Sequence, residues 1–354
     1  RLRGPLDPAR LARAWTLLQE RHETLRSAYP APDGAPRVAI RPAEATDLAP
    51  VPATPETLEP AMRAEAARPF DLSAGPLARL TLHALGEDDH ALLLTLHHIV
   101  GDAISLQIAL RDLVEIYAVL SSDPEHRPAA LPLRYADFAA WQRGRDLSAS
   151  VAHWVERLRG APPLLEIPTD FPRPARQGFA GGSVDIELSG ETARALRTLA
   201  AQQGATPYMA MLAAWAVLLG RYAQTDEAVI GTPVTSRPHP DLAELVGLFV
   251  DTVVHRLPAE SPAGFRAILD ACRRQVVEGI EHQDAPFEQV IEALDPERSW
   301  SHNPVFQALF SWKTREAIPA ETAGLSWESL PLPGAGARLD LALGVLDLGE
   351  AFRI

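Results

Sequence analysis

The chain has 354 residues, 47% of them apolar and 22% charged, as is typical of a globular protein. At roughly 150 residues per domain, this length allows about two domains. The 33 Lys and Arg against 46 Asp and Glu give a net charge of −13, which argues against nucleic acid and anionic membranes as non-specific partners. A single cysteine, Cys272, excludes an intrachain disulfide framework and a multi-thiolate metal site. It indicates a reducing, cytoplasmic setting.

The two ends of the chain suggest a piece of a longer polypeptide. The sequence starts at Arg1 rather than at Met and stops at Ile354 within an apolar-alternating stretch. No signal peptide opens it, and no apolar run is long enough to span a bilayer. Lys313 is the only lysine among many arginines, and with 32 prolines this favours a GC-rich bacterial source.

The first half of the chain reads as alternating helices and strands. Apolar spacing and N-terminal signals predict a helix over Pro8–Gln19, with Asp7 as its N-cap. The Pro-rich segment 41–60 is expected to be loop, followed by a short helix ending near Arg68. An antiparallel hairpin of Leu77–Leu85 and Ala91–Leu96 then leads into a loop. The other predicted elements of this half are strand 38–40 and helices 104–120, 135–142 and 151–158.

The second half repeats this alternation after a Pro- and Gly-dense stretch over 161–182. We place the boundary between two lobes there, giving 1–165 and 166–354. The predicted elements are strands 184–188 and 228–231 and helices 191–203 and 207–222. Cys272, among apolar residues at helical spacing, is expected to be buried core.

His97, His98 and Asp102 form the sharpest cluster of reactive side chains. Because successive side chains on an extended strand point to opposite faces, the two histidines cannot do the same job. One is expected to hydrogen-bond in the core and the other to face a cleft, as a general base or a group that positions a nucleophile. The alternative is that both are scaffold histidines. A metal site of His98 and Asp102 lacks a third ligand, so no metal is expected.

Six ordered motifs resemble those of condensation domains of nonribosomal peptide synthetases, in the acyltransferase superfamily shared with chloramphenicol acetyltransferase. The segment 97–103 resembles the family's HHxxxDG signature, with Ala103 in place of Gly. The other five are Arg21–Arg26 (RHETLR), Tyr135–Trp141 (YADFAAW), Val246–Thr252 (VGLFVDT), His282–Glu288 (HQDAPFE) and Ser301–Val305 (SHNPV). Asp251 stands where the family usually has Asn. From the residues alone, the first four of these are expected to be scaffold, with Gly247 in a tight turn and Pro286-Phe287 at a helix start.

The resemblance implies an α/β fold of two chloramphenicol-acetyltransferase-like lobes, a V-shaped pseudo-dimer with a central tunnel. The lobe 1–165 would carry the signature and lack its start, and the lobe 166–354 would lack its end. His98 is then the catalytic residue within the tunnel, with backbone N–H groups around Gly101 helping to hold an oxyanion. His97 and Asp102 are implied to be structural, with Asp102 pairing with Arg237 of the second lobe.

By the same resemblance, the chain is an acyltransferase that forms peptide bonds in secondary metabolite biosynthesis. It would join an aminoacyl or peptidyl thioester on an upstream peptidyl carrier domain to the α-amine of an aminoacyl group on a downstream carrier. The domain would bind no cofactor itself, because the carriers supply the 4′-phosphopantetheine arms. An adenylation domain is expected next to it, and no nucleic acid or membrane.

Three other functions remain open. An epimerization domain shares the histidine signature but usually carries a Trp in the following helix, where this chain has Ile104–Gln107. A coenzyme A-dependent acyltransferase fits the later motifs less well. A non-catalytic recruitment module of the same fold tends to lose the signature. The effect of Ala103 depends on its backbone: a positive φ would strain it, whereas a negative φ makes it harmless.

Overall fold

The computed structural model describes residues 1–314, 321–330 and 336–354. Its helices are α1 (Pro8–Arg21), α2 (Pro55–Ala67), α3 (Ala103–Val119), α4 (Tyr135–Arg143), α5 (Ser148–Leu158), α6 (Gly190–Gln202), α7 (Pro207–Ala223), α8 (Phe265–Glu281) and α9 (Phe287–Leu294). Its strands are β1 (Leu2–Arg3), β2 (Ser27–Ala28), β3 (Ala39–Ile40), β4 (Val51–Pro52), β5 (Ala78–Gly86), β6 (Asp89–Leu96), β7 (Glu187–Leu188), β8 (Glu227–Thr235), β9 (Val250–Pro258), β10 (Ala308–Thr314), β11 (Glu321–Thr322), β12 (Leu325–Trp327), β13 (Leu341–Asp347) and β14 (Phe352–Arg353).

The local signals at helix starts act as the sequence predicts. Asp7 Oδ1 accepts the N–H groups of Ala9 and Arg10 at 3.0 Å, so two free donors in the first turn of α1 are satisfied. Leu11 and Trp15 on the apolar face of α1 are buried. The predicted N-terminus of α1 is therefore confirmed, and the helix runs two residues beyond the predicted end.

The hairpin of β5 and β6 also matches its prediction. The two strands pair antiparallel from Ala78 opposite Leu96 to Gly86 opposite Asp89, with an irregularity near the turn. On one face of the hairpin, Leu80, Leu82 and Leu94 enter the core that α1 and α3 share. The hairpin therefore ends in a fixed position at Leu96, directly before the two histidines.

The segment from Arg41 to Pro60 differs from its prediction as a loop. It contains β4 and the first turns of α2, which begins at Pro55. Thr54 caps this helix, because its hydroxyl accepts the Thr57 N–H at 3.4 Å while Thr57 Oγ1 accepts the Thr54 N–H at 2.8 Å. A proline in the first turn needs no N–H donor, so the Pro-rich composition is compatible with a helix start.

The chain forms two compact units. Unit 1 comprises Arg1–Arg145, Arg237–Phe249 and the described residues between 316 and 333. Unit 2 comprises Asp146–Ser236, the described residues of 250–315, and the described residues from 336 to the end. Counted over the described residues, each unit contains a six-stranded sheet, ordered β11-β12-β1-β6-β5-β4 in unit 1 and β7-β14-β13-β10-β8-β9 in unit 2.

The observed division differs from the sequence-based boundary at 165/166 in two ways. It falls between Arg145 and Asp146, so that α5 belongs to unit 2. In addition, 237–249 returns to unit 1, which a single cut in the sequence cannot describe. The Pro- and Gly-dense stretch marks irregular backbone without helix or strand up to Asp185, and not the change of unit.

The core of unit 2 lies between its sheet and helices α6, α7 and α8. In that sheet, β10 pairs parallel with both β8 and β13, while β8 and β9 pair antiparallel. Cys272 is fully buried there, and its thiol contacts the Met209 carbonyl at 3.4 Å. Burial raises the pKa of this thiol to about 12, which fits a core residue and not a nucleophile. Within the described ranges, no helix is both long and apolar enough to cross a bilayer.

Candidate functional site

The signature loop joins the end of β6 to the start of α3 within unit 1. The His97 N–H donates to the Leu77 carbonyl at 2.9 Å, which extends the hairpin by one residue. A 3₁₀ turn over His98–Val100 follows, and α3 begins at Ala103. The two histidines therefore directly follow a rigid hairpin, and a 17-residue helix begins a few residues after them.

His97 is half-buried and holds the 3₁₀ turn. Its Nδ1 accepts the Ile99 N–H at 3.1 Å, so this nitrogen carries no proton. The edge-to-face contact between its ring and that of Phe70 has a centroid separation of 5.9 Å. His97 therefore stabilises the backbone next to it.

His98 is exposed, and one hydrogen bond defines its tautomer. Its Nδ1 lies 3.0 Å from the Gly101 carbonyl oxygen. Because a carbonyl oxygen only accepts, Nδ1 must carry the proton and donate it. In the neutral imidazole the lone pair is then on Nε2, at the far side of the ring. The arrangement leaves a basic nitrogen at the outer edge of an exposed side chain.

Gly101 is required for space and not for an unusual backbone conformation. Its φ of −174° and ψ of 155° describe an extended residue. A Cβ at this position would lie 3.1 Å from Leu96 Cδ1 and 3.2 Å from Ser105 Cβ. A side chain would therefore press α3 away from the strand end that carries the histidines.

Asp102 is a buried N-cap that also binds a distant segment. Its Oδ1 accepts the Ser105 N–H and the Ser105 hydroxyl, both at 2.8 Å. Its Oδ2 accepts the Phe249 N–H at 3.0 Å. One carboxylate thus joins the first turn of α3 to the strap, the name used here for residues 237–249 of unit 1.

Arg237 lies beside this carboxylate, with Nη2 3.6 Å from Asp102 Oδ1. Its Nη1 donates to the carbonyls of Leu242 and Leu245 at 2.6 and 2.8 Å, and its guanidinium lies 3.9 Å from the Phe249 ring centroid. Burial lowers the pKa of Arg237, which Asp102 partly offsets. The resemblance implied an arginine of the second lobe, whereas both members of the pair belong to compact unit 1.

The remaining contacts of the strap explain three of the motifs. Gly247 lies at a bend of the backbone and has no positive φ. A Cβ there would lie 2.1 Å from Tyr135 Cδ2, so the glycine also makes room for the Tyr135 ring. Tyr135 Oη donates to the Leu248 carbonyl at 2.8 Å, and Thr24 Oγ1 donates to the Val246 carbonyl at 2.9 Å. The RHETLR and YADFAAW motifs therefore meet residues 246–249, the first part of the VGLFVDT motif, within unit 1.

Sequence reasoning missed two side chains that organise the site. Ser105 Oγ accepts the Gly247 N–H at 3.0 Å, and its single O–H lies within hydrogen-bond distance of two acceptors, the Gly247 carbonyl and Asp102 Oδ1. Asp112 on α3 accepts from His22 Nε2 at 2.9 Å and from Arg21 Nε at 3.1 Å. Ser105 and Asp112 lie on α3, about one and three helical turns after Asp102. This helical spacing from Asp102 is the sequence signal that could have identified them. Burial lowers the pKa of His22, so it binds Asp112 as a neutral donor.

The end of the VGLFVDT motif and the HQDAPFE motif belong to unit 2. Asp251 Oδ1 accepts the N–H of Thr252 at 2.7 Å and of Phe287 at 3.1 Å, and burial raises the pKa of this carboxyl to about 6. Phe287 begins α9, which confirms the predicted helix start after Pro286. The His282 ring stacks on that of His153 at 3.9 Å. Asp251 thus joins the start of β9 to the start of α9.

Among the described residues, no group of three or more His, Cys, Asp and Glu side chains is arranged to hold a metal ion. Ala103 does not have a positive φ and is the first residue of α3. The substitution of the family's Gly by Ala is therefore free of backbone strain. The signature loop keeps its geometry with Ala at this position.

Similarity to curated proteins covers almost the whole chain. The chain is 36% identical over 356 residues to malpinin synthetase of Mortierella alpina and 37% identical over 350 residues to tyrocidine synthase 3 of Brevibacillus parabrevis. Each alignment covers 98% of this chain and 5% of the relative. The chain thus spans about one twentieth of the length of these relatives.

Solved structures and a family model agree on the fold. The X-domain from teicoplanin biosynthesis matches with a TM-score of 0.90 and 29% identity, over 99% of this chain and 83% of the X-domain chain. The first condensation domain of the calcium-dependent antibiotic synthetase, solved with a substrate analogue, matches with a TM-score of 0.79 and 20% identity over 99% and 82%. The predicted α/β class is therefore confirmed. Because the condensation domain model matches residues 1–345, the chain belongs to the condensation domain family, as its resemblance to nonribosomal peptide synthetases predicted.

Proposed function

We propose that this chain forms an amide bond between two carrier-bound substrates. The donor is an aminoacyl or peptidyl thioester on an upstream carrier, and the acceptor is the α-amine of an aminoacyl thioester on a downstream carrier. The observation that supports this reaction is His98, an exposed imidazole whose Nδ1–H is bound to the Gly101 carbonyl. In the neutral ring the lone pair is then on Nε2, as a base or a hydrogen-bond acceptor for an amine requires.

In the proposed reaction, the amine nitrogen attacks the thioester carbonyl carbon, and a C–N bond replaces the C–S bond. The tetrahedral intermediate carries an oxyanion, and the leaving thiolate takes up the proton that the amine loses. An α-amine titrates near about pH 8, so a substantial fraction is already neutral. His98 then contributes by accepting a hydrogen bond that orients the amine and by carrying its proton to the thiolate.

The residues around His98 have supporting roles in this proposal. Backbone N–H groups around Gly101 stabilise the oxyanion. Asp102 and Arg237 hold the strap on α3, while His97 holds the 3₁₀ turn. The 4′-phosphopantetheine arms are part of the substrates and come from the carrier domains, and an adjacent adenylation domain loads the acceptor.

The test is a condensation assay with a defined donor carrier and a defined acceptor carrier. We expect His98→Ala to lower the rate by about 10²–10⁴-fold, the usual contribution of a positioned general base. His126→Ala is the matched control, since it removes a histidine of the same unit that lies outside the signature loop. Wild-type product formation by folded His98→Ala would refute the assignment.

A second candidate function is recruitment of a partner protein. The match to the X-domain favours it, because a related structure is described as a complex of that X-domain with OxyB from teicoplanin biosynthesis. A recruitment module would bind a partner protein with the same affinity before and after His98→Ala and form no product with loaded carriers. Product formation by the wild-type chain decides for the condensation reaction.

A further inference from the structure

Phe70 lies between an arginine and the first histidine of the signature loop. Its ring meets that of His97 edge to face, with an interplanar angle of 89° and a centroid separation of 5.9 Å. The guanidinium of Arg79 lies 3.8 Å from the centroid of the same Phe70 ring. Neither Phe70 nor Arg79 belongs to any of the six motifs, yet Phe70 directly contacts the first histidine of the pair.

Arg79 is held firmly in place. Its Nε donates to Glu65 Oε1 at 2.7 Å, and its Nη2 donates to the carbonyls of Glu65 and Arg68 at 3.0 and 2.8 Å. These carbonyls lie at the end of α2, where a positive charge is favourable. The Arg79 side chain is only 12% exposed, so the guanidinium forms a fixed surface under Phe70.

Phe70 affects the geometry of His98 indirectly, through His97 and the 3₁₀ turn. Phe70 restricts the His97 ring, and His97 Nδ1 accepts the Ile99 N–H at 3.1 Å. That N–H belongs to the turn His98–Val100, whose geometry also allows His98 Nδ1 to reach the Gly101 carbonyl at 3.0 Å. A rotated His97 ring would release the Ile99 N–H, and His98 would lose the backbone geometry that defines its tautomer.

We propose that Phe70, held by Arg79, is a positioning residue that keeps His98 in its Nδ1–H tautomer by restricting the His97 ring. The proposal rests on the proposed role of His98 in condensation. Phe70 acts through His97 and contacts no reacting atom. Its substitution therefore changes the fraction of correctly oriented His98 and leaves the affinity for either carrier-bound substrate unchanged.

The main variant is Phe70→Leu, which keeps an apolar side chain and removes the ring. Phe70→Tyr is the conservative variant: Phe70 borders an open groove of about 520 Å³, so a hydroxyl can be accommodated. Trp141→Leu is the matched control, because Trp141 also lies under an arginine, with Arg145 at 4.7 Å from its ring centroid, and is part of the same unit. Phe70 is only half-buried, so we expect all three variants to fold.

Two readouts test the proposal. In the condensation assay, Phe70→Leu lowers kcat about tenfold with an unchanged KM for both carriers, while Phe70→Tyr and Trp141→Leu stay within about twofold of wild type. In ¹⁵N NMR of the imidazoles, His98 is a single Nδ1–H tautomer in wild type and a mixture in Phe70→Leu. Combining Phe70→Leu with His97→Ala adds no further loss to that of His97→Ala alone, because both changes act on one contact.

The outcomes separate this inference from the proposed function. If His98→Ala lowers the rate and Phe70→Leu changes neither kcat nor the His98 tautomer, the positioning role is refuted and the condensation function stands. If His98→Ala has no effect on the rate, the proposed function fails, and the NMR measurement still decides whether Phe70 controls the His98 tautomer. Loss of folding in both Phe70→Leu and Arg79→Lys would make the pair structural and would also overturn the proposal.

Discussion

Replacing Asp102 by Ala is expected to destabilise the folded chain strongly. The carboxylate is 7% exposed and accepts hydrogen bonds from Ser105 N, Ser105 Oγ and Phe249 N. The substitution removes the N-cap of α3, leaves the Phe249 N–H without its acceptor and leaves the Arg237 guanidinium beside an apolar side chain. Breaking a buried ion pair on one side costs about 3–5 kcal/mol. The loss of the N-cap, which costs about 1 kcal/mol, is included in that figure.

Asp102→Asn separates the contributions of charge and hydrogen bonding. The amide oxygen can still accept from Ser105, so the cap is retained. The Nδ2 group then faces the Phe249 N–H, and two donors cannot bond each other. We expect a loss of about 2 kcal/mol, between wild type and Asp102→Ala.

Urea denaturation followed by tryptophan fluorescence measures these differences. Asp33→Ala is the matched control, because Asp33 also pairs with an arginine, Arg37, but is 52% exposed. Its removal should change the free energy of unfolding by no more than about 0.5 kcal/mol. The reasoning is refuted if Asp102→Ala costs less than about 1 kcal/mol, or if Asp102→Asn is the more damaging change.

Three other predictions concern Gly247, His255 and Ala103. Gly247→Ala should lower the free energy of unfolding by about 1–3 kcal/mol in urea denaturation, because the new Cβ would meet the Tyr135 ring. His255 is fully buried, which lowers its pKa to about 4, so the folded state binds a proton less readily than the unfolded state. Its contribution to stability is complete above the unfolded pKa of about 6.5 and falls by about 3 kcal/mol as the pH drops to 4, and His255→Gln should flatten this dependence. Ala103→Gly should leave the condensation rate unchanged, because Ala103 begins α3 without a positive φ.

Controls for these predictions come from exposed positions. Gly182→Ala introduces a methyl group with no atom within 4 Å and should be neutral. His239→Gln removes a side chain that is 63% exposed and should leave the pH dependence of stability as it is in wild type. A faster reaction in Ala103→Gly would show that the family's glycine has a role that the backbone does not explain. If the free energy of unfolding of His255→Gln falls with acid as steeply as that of wild type, a group other than His255 is responsible for the pH dependence.

Local patterns in the sequence predicted most elements and the signature loop. The hairpin β5–β6, the helix α1 with its Asp7 cap and the start of α9 follow from alternation and capping residues that act over a few positions. The end of α2 near Arg68 was predicted correctly, but its start at Pro55 was missed, since it is hidden in a Pro-rich stretch that also fits a loop. Local signals are ambiguous wherever proline is compatible with both a helix start and a loop.

The candidate site shows the same division between local and distant contacts. The order of the two histidines and the role of Asp102 as a cap depend on neighbouring residues, so the sequence itself determines them. Only the tertiary structure decided that Gly247 makes room for Tyr135 and that residues 237–249 join unit 1. It also placed Phe70 against His97 and Arg79 against Phe70. These contacts join residues far apart in the chain, and a single sequence carries no periodic or capping signal for them because they depend on how separate elements pack.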